Sequence, residues 1–276
     1  MKTFYLKIFN IFAFFYLYIF SRKIFYKFNL VLLKLILKSL GYQNYGSHYF
    51  TGEKKFIKSI KKFQPKVCID IGAHAGSYSS LLIEELKCIV ISFEANKYTF
   101  KKLSKLKKNF GNRFFPFNFA ITNKNKKLDL YYGDKFSQLA SLSKDLTKIN
   151  FVGNLNKNKM KVKGITLDSF FSNNKKFKTV DFIKIDAEGH EFEVLLGAKK
   201  VIKRFKPKFI QIEFNWHQLY KNNTLLNFHK LLVNYDAYRI LPLGRSLVKI
   251  NTNRPEDNIF HLSNIVFVKK TLNYEK

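Results

Sequence analysis

The stretch VCIDIGAHAGSYSSLLIEEL, residues 67–86, decides the fold of this chain. It begins as an apolar run broken by one acid, Asp70, and a short run of this kind is typical of a buried strand. It then passes two glycines, Gly72 and Gly76, before apolar residues recur at helical spacing. Glycine lets a chain turn sharply off a strand and lets backbone approach a ligand closely. The stretch predicts a strand–loop–helix unit whose loop serves either a ligand or tight packing.

The predicted loop differs from the dinucleotide-binding pattern. Gly-x-Gly-x-x-Gly would require a glycine at position 74, where this chain has His74. This difference disfavours a nicotinamide-dependent oxidoreductase. A loop that retains Asp70 instead suits a ligand that lacks phosphates and carries positive charge.

A second acid follows the next predicted strand. Glu94 lies near the end of CIVISFEA, residues 88–95, and 18 residues after Gly76. A carboxylate at that strand end can accept hydrogen bonds from both ribose hydroxyls of an adenosyl group. Taken alone, Glu94 is equally well interpreted as a solvated loop acid. Together with Asp70 and the glycines, it predicts an adenosyl-binding site.

Strand and helix signals alternate from Pro65 for about 200 residues, which predicts one domain on a parallel sheet with helices on both faces. Pro116 is poorly suited to a central strand. The strands AYRILPL (237–243) and SNIVFVKK (263–270) have no helix signal between them, so we expect them to pair antiparallel. The remaining predicted elements are helices at 99–110, after 164, at 192–205 and near 225–235, strands at 114–121, 128–134, 180–189 and 207–215, and a loop reaching Lys163.

The segment KIDAEGHE, residues 184–191, places acids and a histidine just beyond a predicted strand. Open α/β sheets bind ligands at this edge. We therefore predict catalytic roles for Asp186, Glu188 and His190, one of which would take a proton from a substrate hydroxyl. The acids could instead favour a helix N-terminus, and His190 could be structural or bind a metal with them. Glu213 and Asn215, at the end of the next predicted strand, are the predicted wall of the substrate cleft.

These motifs, in order and spacing, resemble the FkbM family of methyltransferases. DIGAHAGSYS, SFEAN, ITLDSFF, KIDAEGHEFEVLLGAKKVI and IQIEFN carry the resemblance over roughly residues 65–215. It implies a Rossmann-like class I methyltransferase fold, which is an α/β fold with a seven-stranded, mostly parallel sheet whose last strand is antiparallel. It also implies S-adenosyl-L-methionine as the methyl donor, and family members typically O-methylate sugars, glycolipids or secondary metabolites.

The resemblance also implies a set of cofactor-binding positions. Asp186 would lie near the methionine or methyl end of the cofactor. The predicted cofactor site comprises Asp70, Gly72, Ala73, His74, Gly76, Glu94, Ala95, Asn118, Ala120 and Asp186. We expect no metal.

Residues 1–64 lie outside the resemblance and predict a basic, apolar N-terminal helical extension to a methyltransferase domain at 65–276. Residues 4–20 are apolar or aromatic except for Lys7 and Asn10, and are marginal for spanning a bilayer, which takes about 20 residues. The next helical pattern has Lys27, Lys34 and Lys38 on one face. This arrangement is typical of a helix lying on an anionic membrane surface, although a cap on the domain or a dimer contact fits it as well.

The formal net charge of +31 comprises 44 Lys and only 6 Arg. Because phosphate and base recognition favours Arg, nucleic acid is an unlikely partner. Cys68 and Cys88 lie in apolar runs and are expected to be reduced and buried, which suits a cytoplasmic protein, either soluble or held at the inner face of the membrane.

The sequence therefore predicts an S-adenosylmethionine-dependent methyltransferase that acts on a hydroxyl of a sugar, glycolipid or related metabolite. Two alternatives remain open: a non-catalytic, membrane-associated adenosyl-binding protein, and an RNA methyltransferase. The first would bind an adenosyl ligand without turnover, and the second would need an RNA-binding module that the sequence does not display.

Overall fold

The computed structural model describes residues 2–144, 156–244, 247–272 and 274. Its helices are α1 (Lys2–Phe20), α2 (Tyr26–Ser39), α3 (Glu53–Ile60), α4 (Ser77–Leu86), α5 (Lys97–Lys105), α6 (Lys107–Phe110), α7 (Leu167–Asn173), α8 (Glu191–Leu196), α9 (Lys199–Phe205), α10 (His217–Tyr220) and α11 (Leu225–Leu231). Its strands are β1 (Val67–Ile71), β2 (Ile89–Phe93), β3 (Phe114–Phe117), β4 (Ala120–Ile121), β5 (Lys126–Tyr132), β6 (Asn158–Ile165), β7 (Phe182–Ile185), β8 (Phe209–Phe214), β9 (Tyr235–Ile240), β10 (Leu247–Lys249) and β11 (Ser263–Lys269).

The main sheet has the strand order β3-β2-β1-β7-β8-β11-β9-β10. The first five strands run parallel, and β11 runs antiparallel to both β8 and β9. The predicted α/β class and the antiparallel pairing of the last two predicted strands are confirmed. The predicted strand count needs one correction. Within the described residues the sheet has eight strands instead of seven, because the short β10 pairs antiparallel with β9.

Strand β1 occupies the centre of this sheet, which explains its composition. All five of its residues are buried, and its neighbours β2 and β7 both run parallel to it. A strand covered by helices on both faces is apolar along nearly its whole length, and Asp70 is the one polar residue of β1. The carboxyl ends of β1, β2, β7 and β8 consequently meet at one edge of the sheet, where the chain places its polar residues.

A small second sheet of order β4-β6-β5 corrects two predictions. The predicted strand 114–121 is interrupted, with β3 in the main sheet and β4 in the small one. Pro116 fits because β3 is the edge strand of the main sheet. The predicted loop reaching Lys163 contains β6, which pairs with β5 along its whole length. Residues 145–155 of that predicted loop lie outside the described residues.

Two predicted helices are divided. The helix predicted at 99–110 is α5 followed by α6, and the one predicted at 192–205 is α8 followed by α9. The second division falls at Gly197. A Cβ at this position would lie 2.0 Å from the carbonyl oxygen of Thr122, so a side chain does not fit there. The absence of a side chain lets this turn pack directly against the segment after β4.

The N-terminal part of the chain divides into an exposed and a packed section. On α1 and α2 large apolar side chains face solvent, with Phe12 72% and Leu35 61% exposed. No single described helix combines the length and apolar composition needed to cross a bilayer. Leu6–Phe20 and Lys23–Ser39, bent by 97° at their junction, meet that requirement only together, by length and composition.

The section that follows α2 packs into the domain. Phe56, Ile57 and Ile60 of α3 are buried in one apolar cluster with residues of β9 and β11, strands near the other end of the chain. Before α3, the Asn44 side chain donates a hydrogen bond to the carbonyl oxygen of Ile240. One face of the main sheet is therefore completed by residues that precede β1.

Candidate active site

A cavity of about 600 Å³ lies at the carboxyl ends of the central parallel strands. Ligands of open α/β sheets bind at this edge. Ten of the predicted site residues line the cavity: Asp70, Gly72, Ala73, His74, Glu94, Ala95, Ala120, Asp186, Glu188 and Glu213. Four lie outside its lining: Gly76, Asn118, His190 and Asn215.

Asp70, fully buried near the end of β1, presents a free acceptor to the cavity. Its Oδ2 atom accepts a 2.6 Å hydrogen bond from the Ser79 hydroxyl, whereas its Oδ1 atom has no hydrogen-bond partner among the described residues. Burial raises the pKa of Asp70, although the nearby Lys184 ammonium opposes the shift. A buried, unsatisfied oxygen of this kind is costly unless a ligand donates to it.

Gly72, at the start of the loop after β1, allows two segments of backbone to touch. Its φ is +79°, and a Cβ at this position would lie 1.7 Å from the carbonyl oxygen of Asp186. Both the dihedral and the contact require glycine. The glycine loop is thereby held directly against the segment that carries Asp186.

Glu94, just after β2, is held by the backbone of two loops. Its Oε2 atom accepts a hydrogen bond of 2.8 Å from the His74 N–H, and its Oε1 atom accepts one of the same length from the Asn96 N–H. Burial raises the pKa of Glu94 to about 7, against the lowering effect of these two hydrogen bonds. Asn118 stabilises the loop that carries Glu94, because its Nδ2 atom donates to the carbonyl oxygens of Glu94 and Ala95.

Three carboxylates converge beyond β7 and β8. Oxygens of Asp186, Glu188 and Glu213 lie within 4.8 Å of one another, a spacing that a metal ion could bridge. The Nζ atom of Lys184 lies 2.8 Å from Asp186 Oδ2. Burial alone would raise the pKa of Asp186, but this ammonium lowers it below its usual value.

The pKa values of Glu188 and Glu213 shift in the opposite direction to that of Asp186. Burial, followed by the negative charge of Asp186, raises the pKa of both well above the usual value. The negative charge of the cluster is therefore favoured on Asp186, and the two glutamates are the members whose protonated forms are favoured. Neutral carboxyl groups can donate as well as accept hydrogen bonds, which is how hydroxyl-rich ligands are recognised.

The structure does not bring His190 to the cavity with these acids. Its ring is buried beside α8, and its Nε2 atom lies 2.9 Å from the Thr122 hydroxyl. Burial lowers its pKa to about 4. His190 is therefore a neutral packing residue, and its position gives no support to the predicted catalytic role.

Two other predicted residues shape the backbone around the site. Asn215 is buried, and its Oδ1 atom accepts a hydrogen bond from the His217 N–H at the start of α10. Gly76 has a φ of +91°, and a Cβ there would lie 2.3 Å from the Leu106 side chain. Gly76 thus serves tight packing, the second of the two roles predicted for the glycine loop.

Sequence reasoning missed a wall of the cavity. The segment between α2 and α3 contributes Asn44, His48, Thr51 and Glu53 to the lining. Lys184 and Tyr78, which come from β7 and α4, also line the cavity and were not predicted. The segment 44–53 has no hydrophobic period, and its role depends on contacts with residues far along the chain. The sequence feature that could have indicated this wall is Glu53, an isolated acid in an otherwise basic segment.

Comparison with known families gives this site its context. A model described as the methyltransferase FkbM domain matches residues 70–240, more than half of the chain. The chain belongs to the FkbM methyltransferase family. The predicted family is confirmed, and so is its class of enzyme.

Solved structures similar to this FkbM-family chain are methyltransferases. An O-methyltransferase from Bacillus cereus in complex with SAH has 13% sequence identity and a TM-score of 0.45, over 92% of this chain and 96% of that one. The O-methyltransferase TomG from Streptomyces achromogenes, in complex with SAM, has 10% identity and a TM-score of 0.42, over 82% of each chain. A search of curated protein sequences finds no significant match to this chain.

Proposed function

We propose that this FkbM-family protein transfers the methyl group of S-adenosylmethionine to a hydroxyl of a saccharide or glycolipid. The observation that carries the proposal is the pairing of Asp70 and Glu94 at the ends of neighbouring strands, on either side of a glycine loop that faces the cavity. The methyltransferase domain match supports the reaction class.

The residues around the cavity fit an adenosyl ligand. The Asp70 Oδ1 atom, which has no partner in the described part of the chain, would accept from a donor of the ligand, such as its amino group. Each Glu94 oxygen accepts one backbone N–H and keeps a lone pair for a ribose hydroxyl. When bound, S-adenosylmethionine supplies a methyl group on a positively charged sulfur, and this donor needs no further activation. The solved Bacillus cereus O-methyltransferase in complex with SAH is consistent with such a ligand.

The protein's own contribution is mainly alignment. Holding a hydroxyl in line with the methyl group can contribute roughly 7–11 kcal/mol to lowering the barrier. Burial and the charge of Asp186 favour the protonated forms of Glu188 and Glu213, which offer both donors and acceptors to hydroxyl groups. Asp186, kept ionised by Lys184, would supply a negative charge to a positively charged sulfur bound in the cavity.

The proposed location is the cytoplasmic face of a membrane. The helices α1 and α2 expose aromatic and aliphatic side chains, and Lys7, Arg22, Lys23 and Lys27 accompany them. Exposed apolar side chains beside basic ones suit the interface of an anionic bilayer. A glycolipid acceptor would be found at that surface.

Calorimetric titration of the full chain in neutral detergent tests the cofactor. We expect binding of S-adenosylmethionine and S-adenosylhomocysteine, no binding of NAD, and loss of affinity in Asp70→Ala and Glu94→Ala. Transfer of a deuterated methyl group to a panel of alkyl glycosides, followed by mass spectrometry, then tests the acceptor class. A folded protein that binds neither adenosyl ligand would refute the proposal, and binding without transfer to any hydroxyl would favour a non-catalytic binding protein.

A further inference from the structure

The missed wall of the cavity carries a histidine in a defined hydrogen-bonding arrangement. His48 lies between α2 and α3, lines the cavity, and has a side chain that is 30% exposed. Its Nδ1 atom lies 2.9 Å from Glu53 Oε2, and its Nε2 atom lies 3.0 Å from the Ser77 hydroxyl at the start of α4. The ring stands edge-on to Tyr78, with 5.3 Å between ring centroids. The imidazole is therefore fixed at both nitrogens and on one face.

The state of Glu53 determines which nitrogen carries the proton. Burial would raise the pKa of Glu53, but the hydrogen bond from His48 and the charge of Lys184 lower it below its usual value. The ionised carboxylate can only accept hydrogen bonds. It accepts one from the Thr51 hydroxyl at 2.9 Å and one from Gln211 Nε2 at 2.8 Å. His48 Nδ1 must therefore donate to Glu53, and in this Nδ1–H tautomer Nε2 is the acceptor of the hydrogen bond from the Ser77 hydroxyl at the cavity wall.

Resting on the function proposed above, we propose that His48 is the general base of methyl transfer and that Glu53 is its positioning residue. The hydroxyl proton passes to Nε2 as the acceptor oxygen forms its bond to the methyl carbon, while the electron pair of the broken carbon–sulfur bond stays on sulfur. The resulting imidazolium is stabilised by the buried Glu53 carboxylate. Ser77, which donates to Nε2, occupies the place that the acceptor hydroxyl would take.

The other groups at the cavity are less suited to this step. Burial and the charge of Asp186 favour the protonated forms of Glu188 and Glu213, and Asp186 is paired with Lys184. The Nε2 atom of His74 lies 3.1 Å from the carbonyl oxygen of Phe136 and donates to it, and no described carboxylate pairs with the His74 ring. Among the described cavity residues, His48 combines an acceptor ring nitrogen, solvent access and a carboxylate partner.

The arrangement is tested without turnover by the histidine ring spectrum of the full chain in detergent. Long-range proton–nitrogen correlations, assigned with His48→Gln, report which nitrogen is protonated. We expect the Nδ1–H form at neutral pH, and loss of this preference in Glu53→Gln. The Nε2–H form in the wild type would overturn the proposal.

Ligand binding and turnover separate a base from a cofactor contact. In His48→Gln we expect S-adenosylhomocysteine affinity within about twofold of wild type, and kcat on the glycoside accepted by the wild type lowered by about 10²–10⁴-fold. His261→Gln, which changes an exposed histidine away from the cavity, is the matched control and should keep wild-type kcat. Imidazole should restore part of the activity of His48→Ala, an effect that a purely structural role would not produce.

The outcomes distinguish this proposal from the function on which it rests. A tenfold or greater loss of S-adenosylhomocysteine affinity in His48→Gln would make His48 a cofactor contact and overturn its role as base. Unchanged kcat in His48→Gln would overturn it as well. A wild type that binds no adenosyl ligand would refute the proposed function, whatever the ring spectrum shows.

Discussion

Glu94 gives the sharpest prediction, because its pKa of about 7 falls within the working range of an enzyme. Each of its oxygens already accepts a backbone N–H, so a proton on either oxygen would occupy the remaining lone pair that a ribose hydroxyl needs. The form that can also accept the ribose hydroxyls is the ionised one. We therefore expect S-adenosylhomocysteine affinity to be constant above pH 7 and to fall below it.

The magnitude follows from the pKa. If only ionised Glu94 binds, affinity falls up to tenfold per pH unit, and by about 30-fold at about pH 5.5, which corresponds to about 2 kcal/mol. The stability of the ligand-free protein should change in the opposite direction. In the folded state the pKa of Glu94 is about 7, above its usual value of 4.5. Protonated Glu94 therefore contributes its full share to the free energy of unfolding below pH 4.5, and this contribution is lost as pH rises through about 7. The loss amounts to about 3 kcal/mol.

Calorimetric titrations across this pH range, with Glu94→Gln measured alongside, provide the assay. The pKa of Glu191 is also raised to about 7, but Glu191 does not line the cavity. Comparing the wild type with Glu94→Gln therefore separates the effect of Glu94 on affinity from that of Glu191. The variant should bind more weakly than the wild type at pH 8 and show a flat profile. Equal wild-type affinity at about pH 5.5 and at pH 8 would refute the reasoning.

Three further predictions concern the loop, the acid cluster and the N-terminal helices. Gly72→Ala should lower the free energy of unfolding in urea by at least about 2 kcal/mol, because both its φ and its contact with Asp186 forbid a Cβ. Gly111→Ala, with a φ of +52° and no described heavy atom within 4 Å, should cost about 1 kcal/mol, and equal losses would contradict the contact argument. Adding EDTA should leave S-adenosylhomocysteine affinity unchanged, because Lys184 already supplies positive charge beside Asp186; a tenfold loss would favour a metal. The full chain should sediment with anionic vesicles but much less with neutral ones, and a folded chain without residues 1–40 with neither; retention by that shorter chain would place the contact elsewhere.

The parts of the fold that the sequence predicts well are locally determined. Strand β1 and helix α4 match their predicted bounds, because a fully buried strand and the glycines after it leave a strong local pattern. The acids at the strand ends follow from the topology, which brings those ends to one edge. Asp70, Glu94, Asp186 and Glu213 reach the cavity for this reason.

The parts that were missed depend on contacts between distant segments. In β6, lysines alternate with Met160 and Val162, and this period of two is masked by the lysine-rich composition of the whole chain. The His48–Glu53 pair lies in a segment without periodicity, and Gln211 of β8 helps to hold it. His190 looked catalytic because it follows the acids in sequence, yet the turn before α8 directs it toward Thr122.

The burial of α3 between elements from both ends of the chain has a consequence during protein synthesis. Phe56, Ile57 and Ile60 leave the ribosome about 180 residues before β9, and still longer before β11, against which they pack. Throughout that interval the apolar face of α3 lacks the part of its cover that β9 and β11 supply, and α3 follows the exposed helices α1 and α2 in the nascent chain. Early attachment of those helices to a bilayer would keep the growing chains apart and limit aggregation. Protease protection of residues 53–60 on stalled ribosomes should accordingly arise only after β11 has emerged, and protection of shorter nascent chains would refute this order of events.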